Sequence, residues 1–191
     1  MPIITVSGHS RKVGKTSVTE GLIEALPEYH WTALKISSHR HSGNSTKECI
    51  VIEETSLDGK SDTSRFLKAG ACRAFWIQAE QMEAAIPAVM EIINSEHYVV
   101  IEGNSVLDFI AADFSILVLN SGVAEFKESA RRILSRSDAF VIVCESAEAP
   151  EWEKLLESAP KNTPRFETGD PKIFPPALTE LLRSRIDPDI S

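Results

Sequence analysis

Ile3 to Val6 is a short β-branched run that breaks at Ser7-Gly8 into the loop GHSRKVGKT, Gly8 to Thr16, and apolar residues then return at helical spacing as Val18, Leu22, Ile23 and Leu26. A strand feeding a glycine-bounded loop that ends Gly-Lys-Thr and opens a helix admits few folds. Such a loop points successive backbone N–H groups, and the positive end of the helix dipole, at one place, where they hold a phosphate chain. Gly14 lets the backbone approach closely, Lys15 is placed to reach the β- and γ-phosphate oxygens, and the Thr16 hydroxyl to ligate Mg²⁺. His9, Ser10, Arg11, Lys12, Val13 and Ser17 complete the cradle expected for GTP or ATP. The strict pattern G-x-x-x-x-G-K-[ST] has glycine at the position of His9; here Gly8 lies one residue earlier, leaving five intervening residues.

The rest of the chain repeats the alternation. Pro27 closes the first helix, and Trp31 to Ile36 reads as a second strand. Ser37 to Ser61 is a polar stretch with one strand-like piece, Cys49 to Glu53, and its length marks it as mobile or functional. A helix is expected over Asp62 to Ala69, a strand over Arg73 to Ile77, and a helix over Glu80 to Asn94 that must tolerate Pro87. Tyr98 to Ile101, Ile116 to Leu119 and Ala139 to Cys144 are apolar runs without polar alternation, as in strands buried on both faces, and Glu125 to Ser135 reads as a helix between the last two. The tail after Pro150 is Pro-rich, with a last helix near Ala177 to Arg185. Strands alternating with helices imply right-handed crossovers and a doubly wound, mostly parallel α/β sheet in three layers. At 191 residues, 42% hydrophobic, the chain is read as one nucleotide-binding domain.

Charge narrows the partners. Twenty Lys and Arg against 28 Asp and Glu give a net charge of −8, so neither nucleic acid nor an anionic membrane is an expected partner. No segment has the run of about 18 apolar residues a membrane span needs, and the start MPIITVSGHS lacks a basic leader, so the cytoplasm is the expected location. Cys49, Cys72 and Cys144 are widely spaced and form no C-x-x-C pair, arguing against disulfides and a thiolate zinc site.

Positions outside the loop are also candidates for chemistry. Lys35 ends the second strand, where a parallel sheet delivers side chains to the ligand crevice. Glu102, between the YVVI strand and Gly103, is either the carboxylate that orients Mg²⁺ or a surface acid at a strand end, and Asn104 and Ser105 extend it as EGNS. Asp62 is either a Mg²⁺-facing carboxylate or the N-cap of its helix. His39 and His41, two apart in the polar stretch, are either a metal-binding pair or, with Arg40, a cationic loop for an anionic second substrate. For base recognition, the late strand end reads Cys144-Glu145-Ser146-Ala147 and lacks the N-K-x-D pattern; Asn120-Ser121 and Glu145 are the remaining candidates.

The loop ending Val-Gly-Lys-Thr resembles the G-T-x-x-x-V-G-K-T variant of dethiobiotin synthetase and the cobyrinic acid amide synthases. These belong to the class of P-loop NTPases that includes signal-recognition and nitrogenase-iron-protein relatives. Part of that class carries a lysine four residues before the second glycine, where this chain has Ser10. Gly59-Lys60-Ser61-Asp62-Thr63-Ser64-Arg65 and Ala69-Gly70-Ala71 resemble the G-K-D-S-x-R and A-G-A segments of the molybdopterin-guanine dinucleotide biosynthesis protein B (MobB) family, with Ser61 inserted. Glu102-Gly103 resembles the V-E-G segment of both families, and Lys35 a lysine facing the active centre in dethiobiotin synthetase. The resemblance implies a Mg²⁺-dependent nucleotide-binding adaptor or slow NTPase in molybdenum cofactor biosynthesis, with Lys15, Lys35 and Glu102 in catalytic positions and Thr16, Asp62 and Glu102 at the metal. It also implies a pterin-type or carboxylate second substrate near His39, Arg40 and His41, and a homodimer. Two alternatives stand beside it: an ATP-dependent carboxylate-activating ligase like dethiobiotin synthetase, and a metal-delivery GTPase.

Overall fold

The computed structural model describes residues 1–37, 48–146 and 150–187. Eight strands form one sheet: β1 (Ile3–Gly8), β2 (Thr32–Ser37), β3 (Cys49–Glu53), β4 (Arg73–Ala79), β5 (Val99–Glu102), β6 (Phe114–Asn120), β7 (Ala139–Val143) and β8 (Arg165–Thr168). Their order across the sheet is β3-β4-β2-β5-β1-β6-β7-β8. All neighbours pair in parallel except β3, which runs antiparallel to β4 at one edge.

Alternate residues of each strand enter opposite cores. Ile4 and Val6 of β1 and Ile116 and Val118 of β6 pack under α1 (Lys15–Ala25), α2 (Asp62–Lys68) and α5 (Pro176–Ile186), through Leu22, Phe66 and Leu182. On the other face Leu34, Ile77 and Ile101 pack under α3 (Met82–Ser95), while Leu117, Leu119 and Phe140 meet α4 (Glu128–Ile133) and the 3-10 turns of Glu151–Ser158. Helices thus cover both faces in three layers, as the alternation of elements predicts. From β1 the chain goes through α1 to β2 on one side, whereas β5 leads to β6 on the other, so the carboxyl end of β1 lies where the winding changes direction. Ligands collect at such a crevice.

Three elements differ from their sequence reading. The helix expected from Glu125 begins only at Glu128, because the Lys127 amide donates to the His9 carbonyl (2.9 Å) and the Ser10 hydroxyl donates to Glu125, holding these residues outside the helix. The tail contains β8, a short, exposed strand whose polar alternation, following Pro164, gives no apolar run to detect. The helix at Asp62 is capped by Ser61, whose side chain accepts from the Ser64 amide (3.0 Å) while the Ser64 hydroxyl accepts from the Ser61 amide (2.9 Å); Asp62 is therefore not the cap. The same helix ends in a Schellman arrangement, Ala71 N–H to the Phe66 carbonyl and Gly70 N–H to the Leu67 carbonyl, with Gly70 at φ 107. That explains the Ala69-Gly70-Ala71 tripeptide structurally. Pro87 sits inside α3, where one helical hydrogen bond is forgone.

Candidate functional site

The loop from Gly8 to Thr16 links the carboxyl end of β1 to the first turn of α1. Lys12 (φ 59) and Gly14 (φ 101) are both left-handed, which curls the chain into the kind of concave turn that gathers backbone amides toward an anion. Gly14 is needed twice over: its φ is unfavourable for other residues, and a Cβ there would lie 2.9 Å from Pro171. The first amides of α1, at Lys15, Thr16 and Ser17, are left without intrahelical partners by helix geometry. Asn104 clamps the base of the loop, its Oδ1 accepting from the Gly8 amide (2.9 Å) and its Nδ2 donating to the Gly8 carbonyl (2.8 Å).

Sheet register brings the charged residues together. Glu102 lies beside Val6 of β1 on one flank and beside Lys35 of β2 on the other. Its carboxylate is 1% exposed, so it is no surface acid. One oxygen accepts from the Thr16 hydroxyl (3.0 Å) and the other from the Lys35 ammonium, which also pairs with Asp62 (2.9 Å). Burial by itself lowers the pKa of Lys35, but Glu102 and Asp62 outweigh it, and the lysine is held above its usual range. Lys15, which donates to the Ser10 carbonyl (3.1 Å), is shifted downward by burial; the nearby Lys35 and Lys127 add to that shift while Glu102 opposes it. Arg65 of α2 grips Glu20 of α1 with two nitrogens and donates to Ser17 (3.1 Å), fastening α2 to the first turns of α1.

These groups border two adjoining clefts. One, about 430 Å³, is walled by the loop from Arg11 to Ser17 with Lys35, Asp62, Arg65 and Glu102. The other, about 300 Å³, lies beyond Lys15 and Lys35, toward Gly103, Ser105 and Lys127. The Thr16 hydroxyl and the Glu102 and Asp62 carboxylates are hard oxygen donors gathered at a helix N-terminus, a set that suits Mg²⁺.

Of the sequence candidates, Lys15, Thr16, Ser17, Lys35, Asp62 and Glu102 converge here with Arg11, Lys12, Val13 and Gly14. Ser10 faces the second cleft. His9 lies apart: its ring is fully buried, edge-on to Phe126 and Trp152 (centroids 5.3 and 5.2 Å), and its amide bonds the Val118 carbonyl at 3.1 Å. His39, Arg40 and His41 fall outside the described residues. At the suggested base end, Asn120 accepts from the Gly122 amide (2.8 Å), and Ser121 accepts from the amides of Glu145 (2.9 Å) and Ser146 (2.8 Å), so these side chains brace turns. Asn104, expected only to extend the Glu102-Gly103 segment, clamps the base of the loop, while neither Arg65 nor Lys127 is expected in the site from sequence, and Lys127 carries no sequence signal for it.

His9 gives a pH prediction. Burial, then Lys15, push its pKa down to about 4, with Glu125 opposing, and neither ring nitrogen has a hydrogen-bond partner among the described residues. The unfolded chain binds a proton near the ordinary histidine pKa while the native state refuses it, so stability falls as pH drops from about 6.5 towards 4, by about 3 kcal/mol in all. Urea midpoints of wild type and His9→Phe, compared at about pH 5 and pH 7.5, should show a steeper acid loss in wild type. Equal losses would contradict this reading.

No protein-family model matches the chain, and no curated protein matches it. Among solved structures, LpxK of Aquifex aeolicus, in complex with ATP, aligns over 87% of this chain and 53% of its own, with 17% identity and a TM-score of 0.53. The signal recognition particle 54 kDa protein of Aeropyrum pernix K1, in complex with GDP, aligns over 97% of this chain and 46% of its own, with 12% identity and a TM-score of 0.50. MobB of Bacillus subtilis aligns over 97% of this chain and 98% of its own, with 15% identity and a TM-score of 0.45. The chain spans about half the length of the first two. Sheet order, layers and loop position make this the P-loop NTPase fold, as the sequence resemblance implies. No described helix is long and apolar enough to cross a membrane.

Proposed function

We propose that the protein binds a nucleoside triphosphate, GTP or ATP, with Mg²⁺ in the cradle of residues 8–17, and hydrolyses it slowly. The observation that carries this reading is the convergence of Lys15, Thr16, Lys35, Asp62 and Glu102, drawn from four elements, on the N-terminus of α1. Lys15 and the loop amides hold the β- and γ-phosphate oxygens and stabilise charge on the transferred phosphoryl. Thr16, Glu102 and Asp62 would hold Mg²⁺, which when bound neutralises charge between the β- and γ-phosphates. Lys35 already neutralises both carboxylates, keeping them turned into the site. The carboxylates lining the cradle among the described residues, Asp62 and Glu102, are both engaged by Lys35, which fits slow turnover.

A role as an adaptor in molybdopterin-guanine dinucleotide assembly is part of the proposal. Its support is the MobB-like segment from Gly59 to Arg65, since Asp62 and Arg65 from that segment wall the nucleotide cleft. Adding the protein to a reconstituted synthesis of the dinucleotide should raise product yield; no gain at saturating protein contradicts the role. A second reading, phosphoryl transfer from ATP to a bound acid, is favoured by the adjoining cleft beyond Lys15 and Lys35.

Phosphate release separates the two. The adaptor reading expects turnover well below the 1 per second typical of kinases with ATP or GTP alone. A rise of about a hundredfold or more on adding a small acid shifts the assignment to the transfer enzyme. A thermal-shift comparison of ATP, GTP and CTP reports base preference, and absence of any shift with all three argues against the proposal.

A further inference from the structure

The cleft beyond the nucleotide cradle carries a charge balance unlike that of the chain around it. Lys15, Lys35 and Lys127 line it together with Arg11; Glu102 lines it as well, and Asp62 pairs with Lys35 (2.9 Å). Glu102 is already engaged by Lys35 and Thr16. In a protein with a net charge of −8, this cleft shares with the adjoining cradle an excess of positive charge, and Lys15 and Lys127 have no bonded carboxylate among the described residues. An anion in the cleft would relieve that excess.

Lys127 is the most informative member. It lines this cleft and not the cradle, and no carboxylate pairs with it among the described residues. Its position is fixed by the backbone, since its amide donates to the His9 carbonyl (2.9 Å) at the root of the phosphate loop. Ser105 and Ser129 line the same cleft and supply hydroxyl donors. At about 300 Å³ the space suits a molecule of a few carbon atoms, and the shared walls Arg11, Lys15, Lys35 and Glu102 set it against the γ-phosphate end of the cradle.

We propose that this cleft is the binding site of a small, acidic second ligand, a carboxylate or phosphomonoester of a few carbons, with Lys127 as the anchoring cation. The inference rests on the nucleotide reading, because the nucleotide would occupy the cradle next door. It places the acid beside Lys127 and Ser129.

The test uses the full chain loaded with Mg²⁺ and a non-hydrolysable triphosphate analogue, titrated by calorimetry with succinate and with glycerol 3-phosphate at constant ionic strength. Succinamide and glycerol serve as neutral counterparts. At least one acid should bind while both neutral molecules do not, and Lys127→Ala should weaken that acid by about tenfold or more. Which acid binds better tells carboxylate from phosphate ester. Failure of the analogue to load would overturn the nucleotide reading itself. Normal loading with no binding of either acid, or acid binding unaffected by Lys127→Ala, would overturn this inference alone. Equal loss of analogue and acid in Lys127→Ala would assign the lysine to the γ-phosphate and also overturn it.

Discussion

Lys15→Ala is expected to lower affinity for the triphosphate by more than about a hundredfold while the chain stays folded. The Lys15 stem crosses the loop directly over Gly8, where a Cβ would lie 2.8 Å from Lys15 Cγ, so the ammonium is carried to the interior of the cradle. There it is largely removed from water, bonded to the Ser10 carbonyl (3.1 Å) and crowded by Lys35 and Lys127. A cation so placed gains more from phosphate oxygens than one in solvent. Two charge-assisted hydrogen bonds at about 1.5–3 kcal/mol each account for the loss. The folded chain loses little, because among the described residues Lys15 has no carboxylate bonded to it, and burial already disfavours its charge. Calorimetry with Mg²⁺ and either nucleotide, alongside thermal melting, checks both halves. Affinity within about threefold of wild type would contradict the assignment.

Glu102→Ala should act on both stability and Mg²⁺. The carboxylate is buried, and each of its oxygens has a partner: Thr16 on one and Lys35 on the other. Removing it leaves Lys35, with 19% side-chain exposure, supported by Asp62 alone. Breaking a buried pair from one side costs about 3–5 kcal/mol; Asp62 keeps the loss near the lower value. Urea unfolding measures it. Glu102→Gln separates the metal effect from the structural one, since the amide still accepts from Thr16 but lacks the charge for Mg²⁺. In that variant, nucleotide affinity should respond about tenfold less to Mg²⁺ than in wild type. An undiminished Mg²⁺ response would place the metal elsewhere.

Much of the fold was legible because its strands are apolar on both faces. Runs such as Tyr98 to Ile101 and Ala139 to Cys144 announce a buried parallel sheet, and the loop from Gly8 to Thr16 fixes which strand comes first in the site. What stayed hidden depends on contacts far apart in sequence. The extended path of residues 125–127 is set by bonds to His9 and Ser10, more than a hundred positions away, against a local helical pattern. β8 exists because β7 offers a parallel edge, and its own residues, Arg165 to Thr168, alternate between exposed and half-buried without a buried apolar run.

The site divides in the same way. Lys35 and Glu102 were readable at strand ends, yet only the register that seats them side by side makes them a pair. Asp62 carried two readings because an acid at a helix start serves equally as cap or ligand. The inserted Ser61 takes the cap and leaves Asp62 to Lys35. His9 stands where the strict motif has glycine, and sequence placed it in the cradle. Phe126 and Trp152 instead enclose its ring on the side of the loop that faces the core. Lys127 had no signal at all, since a lone lysine before a short helix is ordinary until the fold brings it near Lys15.

The most direct measurement is calorimetric titration of the wild-type protein with ATP and with GTP, with Mg²⁺ and then with the metal chelated. The convergence of Lys15, Thr16, Lys35, Asp62 and Glu102 predicts a single site with a Kd on the order of micromolar for at least one nucleotide. Chelation should weaken it about tenfold or more. Folded protein that binds neither nucleotide in the presence of Mg²⁺ would contradict it.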